Sequence, residues 1–95
     1  MGTQYAIAWQ ADDGVRFVGR LLVSPSDLCL DGTSVSPDRE HRQLHIARRA
    51  IRRTSIERHG ELAAVHIETA EDSHTVEVLT GGRGVARAVV DELAR

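Results

Sequence analysis

The stretch LHIARRAIRRTSIERHG, Leu44 to Gly60, decides the fold. Read as a helix, it has a start signal in Ser36, Pro37 and Asp38: an N-cap hydroxyl, a first-turn proline and an acid. Gly60 supplies a stop. On a helical wheel Leu44, Ala47, Ile51 and Ser55 share a face, and Arg48, Arg49, Arg52 and Arg53 spread over an adjoining flank. Taken alone, the stretch leans slightly to helix. Against that stands Ile56, which falls in the middle of the arginine flank. Thr54, Ile56 and Arg58 alternate with Arg53, Ser55 and Glu57 as a strand does, and Thr, Ser and Ile are weaker helix formers.

The flanking segments read more simply. YAIAW (5–9) is a short apolar run before the turn signal ADDG. VRFVGRLLVS (15–24) is β-rich, PSD (25–27) turns, and LCL (28–30) follows. TSVSPDREH (33–41) is polar and loop-like. ELAAVHIET (61–69) and HTVEVLT (74–80) flank the turn AEDS. After the breaker GGRG (81–84), Val85, Val89 and Leu93 recur at helical spacing with Ala86 and Val90 alongside, which predicts an amphipathic helix.

Ninety-five residues, 41% hydrophobic and 27% charged, fit one domain over 1–95. Tyr5, Trp9 and Phe17 are its only aromatics, so the core falls to Val, Leu, Ile and Ala, and little remains for base stacking. The single Cys29 excludes an internal disulfide. With no signal-peptide pattern and no apolar run of transmembrane length, the expectation is a cytoplasmic protein. The net charge of −2 conceals an asymmetry: residues 39–59 carry seven arginines against Glu40 and Glu57. The overall charge argues against a generic nucleic-acid binder, while the middle segment keeps a local basic patch.

GRLLVSPSDLCLDG (19–32) resembles the opening hairpin of the GRAM and bacterial pleckstrin-homology-like families. Ile46 to Ile51 matches the Ile-to-Ile interval of their next element, with Ala47 where proline is usual. LAAVHIETAEDSHTVEVL (62–79) is similar to their last hairpin, and a helix closes the chain. The resemblance spans residues 15–94. It implies a mainly β fold: a partly open antiparallel barrel of about seven strands capped by one C-terminal helix. On that ground the opening stretch is expected as strand, turn, strand: Gln43 to Ile46, then Ile51 to Arg58. The alternative is an α+β domain with a helix at 37–59 presenting an arginine face to nucleic acid or an acidic partner. Phosphoinositide binding by the family's first-hairpin route is disfavoured, because Asp12 and Asp13 occupy the turn that needs cations.

No constellation argues for catalysis, so the expectation is not an enzyme, with no cofactor and no metal. His41 and His45 lie four apart, but no zincin glutamate follows His41, and arginines surround the pair. His66 and His74 could be cross-strand neighbours near Glu68 and Glu77. Cys29 sits among acids that raise a thiol pKa, which favours a packing role. GGRG could cradle an anion but lacks the P-loop ending, and a small enzyme with an anion site there is a second alternative. The leading expectation is a non-catalytic interaction module, protein-binding or self-associating. Arg48, Arg49, Arg52 and Arg53 are its candidate contact residues, with nucleic acid bound weakly at most.

Overall fold

The computed structural model describes residues 3–37 and 39–94. Seven strands run in chain order: β1 (Thr3–Gln10), β2 (Arg16–Val23), β3 (Asp27–Ser34), β4 (His41–Ala47), β5 (Ile51–His59), β6 (Leu62–Thr69) and β7 (Ser73–Val78). A short 3-10 turn, Arg48–Ala50, joins β4 to β5, and a helix, α1 (Gly82–Leu93), ends the chain. All neighbours are antiparallel in one open sheet of order β4-β3-β2-β1-β7-β6-β5. The fold is mainly β with one C-terminal helix, as expected from the sequence.

The stretch 44–60 is therefore strand, turn, strand. Burial explains the outcome. Ile46 is buried in the core, and Leu44, Ile51 and Ile56 pack against it. A helix through 44–56 would carry Leu44 and Ile51 inward but leave Ile56 among the arginines. The extended backbone at Ala47 and again at Ile51 lets both apolar sets reach the same interior. The acid of the helix-start signal, Asp38, lies outside the described residues, as does Arg95.

Boundaries differ from the sequence reading where pairing extends them. Thr33 and Ser34, expected in a loop, continue β3 because they pair with Val18 and Phe17. β4 begins at His41 rather than Gln43, opposite Thr33. The helix begins at Gly82, inside the glycine-rich turn.

Inward residues of every strand build one core around Ile7, Phe17, Leu21, Leu28, Leu30, Val65, Ile67, Val76 and Val78. Trp9 stacks on Phe17 with ring centroids 5.2 Å apart. The helix closes this core across β5, β6 and β7. It buries Ala86 and Val89 and packs Val85, Val90 and Leu93 at the margin, each full burial worth roughly 1.5–3 kcal/mol for a side chain of valine size or larger. The glycines that bound the quoted hairpin motif, Gly19 and Gly32, are direct cross-strand partners. A Cβ at Gly19 would stand 2.0 Å from the Asp31 carbonyl oxygen, and one at Gly32 would stand 2.9 Å from the Trp9 ring. Only glycine admits so close an approach of two strands and the indole.

Candidate functional site

The four candidate arginines divide into two kinds. Arg48 is built into the fold. Its Nη1 donates to the Ser24 carbonyl at 3.1 Å and its Nη2 to the Glu92 carbonyl at 2.5 Å. Its backbone N–H donates to Ser26. It thus ties the β2–β3 turn and the end of α1 to the β4–β5 corner. Arg49, Arg52 and Arg53 are exposed, and none of their side chains forms an ion pair or hydrogen bond with a described residue. In an unbroken strand, Arg52 and Arg53 would point to opposite faces. The ladder interrupts that alternation: Ile51 aligns with Thr69 and Arg53 with Glu68, which leaves Arg52 as the extra residue of a bulge. Three solvated arginines thus lie within five residues of one another at the entry to β5.

The sheet has two open edges, and they differ in charge balance. On β4 the cations are already matched. His41 Nε2 lies 2.5 Å from Asp31, and His45 Nδ1 lies 3.4 Å from Asp27. Arg42 reaches Glu40 at 2.6 Å and Asp13 at 3.3 Å. Hydrogen bonds from His41 and then Arg20 hold the Asp31 carboxyl below its ordinary range. Ser24 and His45 do the same for Asp27. On β5 the three arginines have no such counterpart. At its far end a cleft of about 340 Å³ opens between β5, β6 and the start of α1, floored by Ile56, Leu62 and Ala63 and flanked by Arg58 and Arg83. No local sequence pattern marks this cleft, because the β5–β6 hairpin forms it only together with Gly82 and Arg83, some twenty residues further along the chain.

A larger cleft of about 620 Å³ lies at the rim beside the Trp9–Phe17 stack. Arg42 covers the Phe17 ring at 4.6 Å, and Asp12 and Asp13 stand at the mouth. Asp13 accepts from the Val15 N–H and from Arg42, both of which lower its pKa. The cation best placed in this cleft is thus engaged by two carboxylates before any anion arrives.

The remaining candidates come apart on inspection. Cys29 Sγ faces His45 Nε2 at 3.8 Å, and His45 in turn faces Asp27, an order that resembles a nucleophile–base–acid relay. Burial first, then Asp31 and Asp27, push the thiol pKa up, so it stays protonated. Strand β3 is also laddered on both sides, so its backbone N–H groups are committed to β2 and β4. His66 pairs with Thr75, and His74 with Ile67, so the two histidines are not opposite one another. Among the described residues no group of three or more His, Cys, Asp or Glu side chains is placed to hold a metal ion. Gly81 and Gly82 take left-handed backbone at the start of α1, where no side chain caps the first turn.

No helix among the described residues is long and apolar enough to cross a membrane. No family model matches the chain, and no curated protein matches it. Among solved structures it is similar to the crystal structure of the C-terminal domain of an unknown protein from Leishmania infantum, with a TM-score of 0.71 and 14% identity over 98% of this chain and 83% of that one. At that identity the likeness is one of fold alone.

Proposed function

We propose that the chain is a non-catalytic protein-interaction module of the GRAM and bacterial pleckstrin-homology-like kind, working through an open edge of its sheet. The observation that carries this reading is the strand order, in which β4 and β5 end the sheet and each is laddered on one side only. By the alternation of an antiparallel ladder, every second residue of such a strand directs its N–H and C=O outward. That row is a template for another extended segment, which backbone hydrogen bonds hold and side chains select. The position of the helix after the seventh strand is also the one the resemblance implies. Lipid headgroup recognition at the first hairpin is disfavoured, since Asp12 and Asp13 repel phosphate.

The test is backbone amide exchange with and without captured protein partners, together with light scattering at a low and a high concentration. Added protection along β4 or β5, from a partner or a second copy, is the expected outcome. A monomer at both concentrations whose edge amides gain no protection from any captured protein would end this reading.

A further inference from the structure

We infer that β5, not β4, is the docking edge, and that its occupant is an extended protein segment with an apolar first half and an acidic second half. The inference rests on the reading of the chain as a sheet-edge binding module and names that module's partner. The two edges differ in what flanks them, since α1 packs beside β5 and β6, and they differ again in side-chain charge. On β4, His41, Arg42 and His45 each already face a carboxylate of the same molecule. A docking strand there would gain nothing from its own acids. On β5, Arg49, Arg52 and Arg53 are solvated and their side chains form no ion pair with a described residue, Glu68 standing opposite Arg53 in the ladder without closing one. Three guanidiniums at one end of a strand repel one another, and carboxylates arriving beside them relieve that repulsion and add charge-assisted hydrogen bonds.

The direction of the occupant follows from the geometry. An added strand continues the sheet's uniform antiparallel pattern, so its C-terminal half meets the entry to β5 and the three arginines. Its N-terminal half meets the far end, where Ile56, Leu62 and Ala63 line the small cleft and Glu57 and Glu61 offset Arg58 and Arg83, so that no net positive charge calls for an acid. An apolar side chain suits that cleft. The nine residues of β5 give a footprint of about 30 Å at some 3.3 Å per residue. A second copy of this chain is a poor occupant. Its acidic runs 11–14 and 70–73 lie in or at turns and offer no extended acidic strand.

The test uses the whole chain and a fluorescein-labelled peptide, Thr-Val-Thr-Leu-Glu-Val-Glu-Glu, followed by anisotropy and by amide exchange. Binding should protect amides of 54–58 and weaken with salt. Joint Arg49→Gln, Arg52→Gln and Arg53→Gln substitution should cost about tenfold or more in affinity, while Arg87→Gln on the helix changes nothing. The same peptide methylated at alternate backbone nitrogens keeps its charge and should not bind, which separates strand addition from charge attraction. Circular dichroism of the variants shows that they remain folded. The inference is overturned if the peptide fails to bind at millimolar concentration, if a lysine-for-glutamate peptide binds equally, or if protection appears on β4. It is equally overturned if a DNA oligonucleotide displaces the peptide with a steep salt dependence. Protection of β5 by a second copy or a non-acidic partner would overturn this inference and leave the sheet-edge reading standing. Protection of neither edge by any partner removes both.

Discussion

The guanidinium of Arg48 donates to the carbonyl of Glu92, 44 residues further along the chain, at 2.5 Å. The same side chain reaches the Ser24 carbonyl at 3.1 Å. Two charge-assisted bonds to backbone carbonyls from one half-buried cation are structural, unlike the solvated arginines beside it. Arg48→Met should therefore destabilise the fold by about 1–3 kcal/mol, whereas Arg49→Met should stay within about 0.5 kcal/mol. In a domain of this size that is a melting-point loss of about 4–8 °C per kcal/mol for the first variant. Equal melting points for the two would refute the distinction.

Gly19 and Gly32 form the second pair with a sharp consequence. Gly19→Ala drives a methyl into the Asp31 carbonyl, and Gly32→Ala drives one into the Trp9 ring. Each should cost on the order of 1–3 kcal/mol, the Gly19 change more, since backbone yields less readily than a side chain. Denaturant melts check the order. For Gly32→Ala, tryptophan fluorescence should also shift, because Trp9 is the only indole.

These contacts mark where sequence reading stops. The strands of 5–9, 15–24, 61–69 and 74–80 were legible because apolar residues and turn residues lie within a few positions of each other. The helix was legible from Val85, Val89 and Leu93 alone. The 44–60 stretch was ambiguous for a physical reason: Leu44, Ala47 and Ile51 satisfy helical spacing, and only the interior position of Ile56 and Ile46 excludes it. Arg48 read as a surface arginine because its partners, Ser24 and Glu92, sit far away in the chain. The bulge at Arg52 arises from pairing with β6, which no local pattern encodes.

Acid should lower the stability of the fold in part through three aspartates. Asp13, Asp27 and Asp31 all have pKa values below the ordinary 3.8, held there by hydrogen bonds from Val15, Ser24 and His41 respectively. A depressed folded value means that the ionised form is favoured in the native state. The stabilisation is thus complete above about pH 5 and is lost as pH falls through the lowered values. Urea melts at pH 5, 4, 3 and 2 should show a steepening decline, and Asp31→Asn should flatten it. An unchanged profile in that variant would remove Asp31 from the account.

Cys29 should be a slow nucleophile. Its thiol is buried and its pKa is raised by that burial and by Asp31 and Asp27. Alkylation by iodoacetamide at pH 7.5 should run about tenfold or more slower in the native protein than in denaturant. Asp31→Asn should speed the native reaction. Native labelling as fast as in denaturant would show an activated thiol and reopen the relay of Cys29, His45 and Asp27.

Nucleic acid should bind weakly and without sequence preference. Arg48 is committed to carbonyls, so Arg49, Arg52 and Arg53 are left to meet phosphates. Two or three contacts correspond to a log–log salt slope on the order of −2 to −3. A slope much steeper than this, abolished by Arg52→Glu, would mean an interface larger than the entry to β5.

Of the seven strands, the first in chain order is the middle strand of the sheet. β1 lies between β2 and β7, yet β7 begins at Ser73, and their ladder holds three aligned pairs: Ile7 with Val78, Ala8 with Glu77 and Trp9 with Val76. During synthesis, β1 to β4 can zip as consecutive hairpins while one side of β1 stays bare. Until residues 76–78 have left the ribosome, that side lacks its ladder partner and Ile7 and Trp9 lack the neighbouring Val78 and Val76 in the core. Closure across nearly seventy residues is a slow, entropically costly contact to make. A chain halted before Val76 would carry its stickiest edge at its centre, the condition under which nascent strands pair with the wrong molecule.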